Sequence, residues 1–246
     1  MGHVFDPDGP MPGEALSYEM EEVEREQRAL LVKVYGFMAV GLLISAAVAR
    51  WAMARPEMFT YVHEHALSFQ IIFALEVAAV AIISQVIENI PIGLAALIFV
   101  CYAAFNGISF AVFFLFIPPG AVAFGFLIAA LTFAAMAAYG RMSGADLGTM
   151  GSTLITLVAG LGIMSAANVV FNNERVYWAT SYLGVIVFAS LASYHAQDFR
   201  DFDWAFEDDD EANNKAALTG ALLLYLDFVN LYIMFMRLIG RGRDRR

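Results

Sequence analysis

Residues 217–240 read ALTGALLLYLDFVNLYIMFMRLIG, an apolar run with the carboxylic acid of Asp227 near its middle. Because a helix rises about 1.5 Å per residue, about 20 apolar residues suffice to cross a hydrocarbon core about 30 Å thick. This stretch is therefore long enough to span a membrane. Its apolar residues are continuous rather than alternating, which favours a helix over a strand of a membrane barrel.

The same criterion applied to the whole chain predicts seven transmembrane helices. They are expected at residues 29–49, 67–88, 92–117, 120–140, 150–171, 177–197 and 216–239. Composition agrees, because 60% of the 246 residues are hydrophobic and 15% are charged, whereas soluble domains average about 45–50% and about 25%. We therefore expect an all-α, polytopic membrane bundle.

The charged residues divide the chain into three parts. Residues 1–28 form a polar, acidic tail whose composition predicts disorder, residues 29–240 form the transmembrane domain, and residues 241–246 form a basic tail. The net charge of −10 would repel phosphates, so nucleic acid binding is not expected. Lysines and arginines are balanced between alternate connections, so the positive-inside rule does not fix the membrane orientation.

The longest predicted connection, residues 198–215, is strongly acidic. Its eight acidic residues are Asp198, Asp201, Asp203, Glu207, Asp208, Asp209, Asp210 and Glu211. Such a segment is either a solvated surface loop or a vestibule that attracts cations, and the sequence leaves both readings open.

Among the ionisable residues inside the predicted spans, three stand out: Glu76, His195 and Asp227. A charge at the centre of a membrane helix costs about 2.5–3.5 kcal/mol or more, so each residue is a candidate for function. Asp227 is the strongest, and Asn230, three residues later, shares its helical face. The alternative for each is structural: a hydrogen-bonded carboxyl for Glu76 and Asp227, and an interfacial side chain for His195.

His195 and Asp227 belong to consecutive spans, which run antiparallel and are natural neighbours. A histidine beside an acid favours the charged forms of both, and their ordinary pKa values of about 6.5 and about 3.9 suit a proton switch. The predicted boundaries, however, place Asp227 deeper than His195 by more than ~10 Å. Contact is therefore expected only if the last helix begins later than residue 216.

Motifs of common enzymes and cofactor sites do not occur. The sequence lacks a Walker loop, a Rossmann glycine fingerprint, an HExxH zinc pair and a GxSxG elbow, so neither an enzyme nor a cofactor is expected. Cys101 is the single cysteine, which excludes an intrachain disulfide. His63 and His65 lack a third ligand nearby, so no metal site is expected there.

Three stretches resemble the bacterial members of a known family. They are GALLLYLDFVNLYIMFMRLIG at 220–240, YGRMSGADLGTMGS at 139–152 and VYWATSYLGVIVFASLASYHAQ at 176–197. Together they are similar to the Bax inhibitor-1 (transmembrane Bax inhibitor motif) family, and the resemblance covers about residues 25–240. It implies a bundle in which six helices surround a central C-terminal helix, and a pH-sensitive calcium leak channel.

The resemblance also assigns roles to residues. In the family, one aspartate late in the sixth helix and one in the seventh exchange a shared proton; Asp227 matches the second, and Glu76 matches a common acid of the second helix. The family pattern Tyr-Asp-x-Gln reads here as Tyr194, His195, Ala196 and Gln197. Tyr194 and Gln197 are thus expected to support the switch. Because His and Asp attract when both are ionised, acidification would strengthen this pair, and the family's pH response is expected to be shifted, inverted or absent.

Two functions remain as alternatives. The first is a proton-modulated cation leak around Asp227, with calcium as the transported ion. The second is a regulatory membrane protein that binds partners such as a membrane-bound AAA protease through residues 1–28, without ion conduction. Both predict a multi-pass protein of the bacterial cytoplasmic (inner) membrane.

Overall fold

A computed structural model describes residues 12–55, 57, 60, 64, 89–115, 117–199 and 210–241. These residues form six α-helices, one 3-10 turn at Gly148–Met150 and no strand. The helices are α1 (Pro12–Met53), α2 (Ile92–Leu115), α3 (Pro119–Met142), α4 (Gly151–Phe171), α5 (Glu174–Asp198) and α6 (Asp210–Arg241). All six contain a segment long and apolar enough to cross a membrane, which confirms an all-helical, polytopic chain. The predicted span 67–88 lies outside the described residues.

Local sequence sets the tight connections between helices. Pro119 occupies the first turn of α3, where its fixed φ suits a helix start and its missing N–H is not needed. Asn172 ends α4 in the left-handed region at φ 46°. Asn173 then caps α5, because its side chain accepts hydrogen bonds from the backbone N–H groups of Arg175 and Val176. A two-residue connection therefore turns α4 back into α5.

The helix α1 is longer than predicted. The expected disorder of residues 1–28 is wrong over residues 12–28, which continue α1 outside its apolar segment. This stretch contains six Glu and two Arg, and both residue types are strong helix formers. It extends a helix already nucleated by the membrane span, and Arg28 pairs with Glu24 one turn away at 3.0 Å.

The directions of the helices follow from their contacts with α6. Lys33 donates to Asn214 at one end of the α1–α6 contact, and Ser45 lies against Tyr225 further along, so α1 and α6 are parallel. The ring contacts Phe99 to Tyr225 and Phe110 to Tyr232 show that α2 is parallel to α6 as well. The helices α3 and α5 run the opposite way. We name the face where α6 begins the first face and the face where it ends the second face.

The helix α6 is the most enclosed of the six. Within its apolar segment 67% of the residues are buried, compared with 17% in α4. It packs against α1, α2, α3 and α5, whereas α4 packs mainly against α5. The predicted acidic connection is shorter than expected, because its residues 210–215 already belong to α6. The acidic residues at the start of α6, near the first face, therefore belong to the same helix whose later residues are buried by the other helices.

Close approaches at small residues bring the helices together. At Gly140 of α3 an added Cβ would overlap the backbone carbonyl of Ser193 in α5. Ser193 also donates from its hydroxyl to the carbonyl of Met136 at 2.6 Å. Such contacts are the usual means by which membrane helices pack, since lipid supplies no hydrophobic drive between them. They fix the register of α5, which carries His195.

Candidate functional site

His195 and Asp227 are in direct contact between α5 and α6. The imidazole Nδ1 lies 2.6 Å from the carboxylate Oδ2. The side chain of Asp227 is 4% exposed and that of His195 is 13% exposed. The structure thus brings together the two residues that the sequence placed on neighbouring helices.

The contact between His195 and Asp227 forms although the last helix begins earlier, not later, than predicted. The last helix begins at Asp210, earlier than residue 216, so the expectation that contact requires a later start is wrong. Asp227 lies 17 residues into α6, while His195 lies three residues before the end of α5. At about 1.5 Å per residue, α6 therefore continues roughly 20 Å past the end of α5. Helix α1 covers this additional length of α6, and Val34 of α1 packs there against Gly220. Near its beginning α6 also contacts the start of α2, where the Ile92 N–H donates to Glu211.

Aromatic side chains hold the imidazole in place. The ring of Phe199 stacks on that of His195, with centroids 6.2 Å apart and an interplanar angle of 18°. The ring of Tyr194 lies 5.2 Å away in a tilted arrangement. A ring fixed in this way presents Nδ1 to Asp227 without sampling many rotamers.

The pair supports two protonation states. With a proton on each ring nitrogen, His195 and Asp227 form an ion pair joined by a short charge-assisted hydrogen bond. With a neutral imidazole, the carboxylate keeps an uncompensated negative charge that the bilayer makes costly. His195 is the more exposed partner of the pair.

Gln197 serves the neighbouring turn rather than the pair. Its Oε1 accepts from the backbone N–H of Leu147 at 2.7 Å, and its Nε2 donates to the carbonyl of Ala145 at 2.7 Å. These bonds attach the turn between α3 and α4 to the end of α5. The predicted supporting role is therefore indirect, through the position of the helix end.

Tyr194 faces α4 instead of Asp227. It lines a cavity of about 210 Å³ together with Met136, Tyr139, Leu147, Met150, Leu154, Ser190 and Ser193. Gly151 lies directly beneath its hydroxyl, since a Cβ there would be 2.7 Å from that oxygen. Asn230 is half-buried on α6, and Glu76 lies outside the described residues.

Two polar residues of α6 were not singled out by the sequence. Tyr225 is fully buried, and its hydroxyl lies 2.7 Å from the Ser45 hydroxyl, which also bonds the Ala103 carbonyl. Arg237 donates to Thr180 at 3.0 Å, and its guanidinium lies over the ring of Tyr177 at 4.5 Å. The signal for Arg237 was present, because it is a charged residue inside the predicted span 216–239. Nothing in the local sequence of Tyr225 distinguishes it from a lipid-facing tyrosine.

The described ranges contain no group of three or more His, Cys, Asp or Glu side chains that could hold a metal ion. Calcium takes six to eight oxygen ligands, and an imidazole is a poor ligand for it. The imidazole beside Asp227 is therefore not a typical neighbour for a calcium ion.

Fold and site together define a multi-pass helical membrane protein whose last described helix carries a buried acid paired with a histidine of the preceding helix. Residues 27–244 match the family model described as inhibitor of apoptosis-promoting Bax1. The chain belongs to this family, the Bax inhibitor-1 family, and is an integral multi-pass protein of the bacterial inner membrane.

Similar proteins occur in several bacterial species. The inner membrane protein YbhL of Escherichia coli K12 is 31% identical over 214 residues, which cover 87% of this chain and 92% of that protein. An uncharacterized protein of Borreliella burgdorferi is 32% identical over 229 residues, 93% of this chain and 98% of its own length. One of Deinococcus radiodurans is 30% identical over 217 residues, 88% of this chain and 92% of its own.

Proposed function

We propose that this protein is a proton-modulated cation leak pathway, with calcium as the conducted ion and the His195–Asp227 pair as its switch. The observation that carries the proposal is the 2.6 Å contact between the imidazole and a carboxylate buried among apolar helices. A membrane bundle gains nothing in stability from a buried ion pair that apolar side chains would replace well. Its presence is therefore best explained by a role in moving charge.

The sign of the pH response follows from the charges. At acidic pH a proton on His195 completes the ion pair, neutralises Asp227 and holds α5 against α6. At alkaline pH the imidazole is neutral, and Asp227 is left as a negative site that attracts a cation. We therefore expect a faster leak at pH 8 than at pH 6.

The same proposal includes the full helix arrangement of the family, seven helices with the last one surrounded. The directions of α1 and α2 support this part of the proposal. The two helices are parallel, so the end of α1 at Met53 and the start of α2 at Ile92 lie on opposite faces. The predicted apolar run 67–88 lies between these two ends in the sequence, and we expect it to cross the membrane in the opposite direction. The burial of α6 is consistent with its place inside the ring.

Calcium uptake into liposomes tests the leak. The purified protein is reconstituted with an enclosed calcium dye, and flux is measured at pH 6 and pH 8. Asp227→Asn removes the charge and keeps the shape of the side chain, so we expect the flux to fall at least about tenfold and to lose its pH dependence. Asp146→Asn, in the exposed turn between α3 and α4, is the matched control and should leave flux unchanged. Wild-type flux in the Asp227→Asn protein at both pH values would refute the proposal.

A second candidate function is supported by the extension of α1. Residues 20 to 29 of this helix are mostly exposed, and Met20 is 61% exposed outside the apolar segment. A helix that projects from the membrane offers a surface to a regulatory partner such as a membrane-bound AAA protease. Deletion of residues 1–28 separates the two functions, because it would remove partner binding and leave calcium flux intact.

A further inference from the structure

The α5–α6 contact continues beyond the His195–Asp227 pair toward the second face, and we call this part the α5–α6 seam. From the pair outward its contacts are Gly184 against Met234 and then Thr180 with Arg237. Arg237 lies ten residues after Asp227, about 15 Å further along α6. A cation that leaves Asp227 along this seam meets Arg237 before the second face.

The middle of the seam is closed by a flexible side chain. A Cβ at Gly184 would lie 2.6 Å from the sulfur of Met234, so the thioether fills the space that the glycine leaves. Methionine has three rotatable side-chain bonds and adapts its shape easily. We call the Met234 side chain the plug, because it fills the seam at Gly184 and belongs to a residue type that adapts its shape.

Arg237 is held at the end of the seam by α5. Its Nη2 donates to the Thr180 hydroxyl at 3.0 Å, and its guanidinium lies 4.5 Å from the Tyr177 ring centroid. The Tyr177 hydroxyl donates in turn to the backbone carbonyl of Arg237 at 3.1 Å. Nη1 reaches the sulfur of Met234 at 3.8 Å, so the guanidinium touches the plug itself. These contacts hold the positive charge of Arg237 between α5 and α6. An arginine that serves only as an interfacial anchor instead extends its side chain along lipid.

We propose that Arg237 is a charge barrier that slows cations at the second-face end of the α5–α6 seam and slows divalent cations most. The inference rests on the proposed leak and adds to it the residue that limits its rate. A fixed positive charge beside a narrow path repels a cation in proportion to the charge of the ion. Loss of the arginine charge should therefore accelerate calcium by about the square of the factor by which it accelerates potassium.

Chemical modification of an introduced thiol tests the charge without a change of fold. Cys101 is the only cysteine, so Arg237→Cys in a Cys101→Ala background carries one thiol. The folded protein is treated in separate samples with aminoethyl, methyl or sulfonatoethyl methanethiosulfonate, which leave a positive, neutral or negative group, and labelling is measured by mass spectrometry. Calcium and potassium fluxes are then compared in liposomes at pH 8.

We expect the positive adduct to restore slow calcium flux, and the neutral adduct to raise it at least about tenfold, with the negative adduct faster still. The ratio of calcium to potassium flux should rise in the same order. Arg175→Cys in the same background is the control, since Arg175 is exposed on the same helix as Thr180 and should show no dependence on the adduct. If labelling is incomplete, Arg237→Lys and Arg237→Gln make the same comparison, with slow flux expected only for lysine.

Two outcomes would overturn the inference. One is equal calcium flux for all three adducts; the other is an equal acceleration of calcium and potassium, which indicates looser packing around Met234. The proposed leak fails separately, through wild-type flux in the Asp227→Asn protein. Flux that depends on Asp227 but ignores the charge at residue 237 leaves the leak standing and removes only the barrier.

Discussion

At the scale of single residues, His195 determines what Asp227 can do. A carboxylate in its place would compete with Asp227 for one proton, because two like charges at this separation cannot both persist. A protonated imidazole instead carries a positive charge that compensates the negative charge of Asp227. The acid is therefore stabilised most when its partner is protonated, and the switch is expected to close on acidification.

Substitution of His195 tests this assignment directly. Gln keeps a hydrogen-bond donor near Asp227 but does not titrate, so His195→Gln should conduct calcium with nearly equal rates at pH 6 and pH 8. The wild-type protein measured in parallel should be several-fold faster at pH 8. A His195→Gln protein that keeps the full pH dependence would assign proton sensing to another residue.

The pair illustrates what a sequence can predict about a membrane site. The cost of a charge in lipid identified Asp227, and the antiparallel course of two consecutive spans identified His195 as its neighbour. The same cost applies to Arg237, whose charge also lies inside a predicted span. The sequence did not predict that Tyr225 points into the bundle, because that orientation depends on its contact with Ser45 of α1.

At the scale of helices, small residues control which side chains meet. Gly140 lets α3 approach the backbone of α5 at Ser193, two residues before His195. The continuous apolar runs predicted the existence of both helices and their bounds to within three residues. It did not predict this crossing, because glycine and alanine occur throughout the predicted spans.

A methyl group at this crossing should disturb the bundle. In Gly140→Ala the new Cβ would lie 2.8 Å from the Ser193 carbonyl carbon, so the helices must separate. We expect a loss of about 1–3 kcal/mol of stability, measured as a lower midpoint of thermal unfolding in detergent. Gly160→Ala in α4 is the control, since nothing lies within 4 Å of its Cβ and alanine favours a helix. Equal midpoints for the two variants would contradict a close α3–α5 contact.

At the scale of the whole molecule, the parallel course of α1 and α6 places their far ends on opposite faces. The beginning of α1 lies on the side of the first face, where Lys33 donates to Asn214 near the start of α6, and α6 ends at Arg241 on the second face. The balanced basic residues had left the membrane orientation open. The described helix α6 is long and apolar enough to cross a membrane.

Reporter fusions check the arrangement in cells. Alkaline phosphatase is active only in the periplasm and green fluorescent protein fluoresces only in the cytoplasm, so the two identify the side of each terminus. We expect a fusion before α1 and a fusion after α6 to report opposite sides of the inner membrane. Reports from the same side for both would exclude an odd number of crossings.

The enclosure of α6 has a consequence for biosynthesis. The ribosome makes α6 after the other five described helices, so its three inward polar residues enter a membrane that already holds their partners. Tyr225 meets Ser45, Asp227 meets His195 and Arg237 meets Thr180. A helix with three inward polar residues is thus translated after the other described helices, when the groups that satisfy those residues are already present, and its insertion coincides with closure of the core.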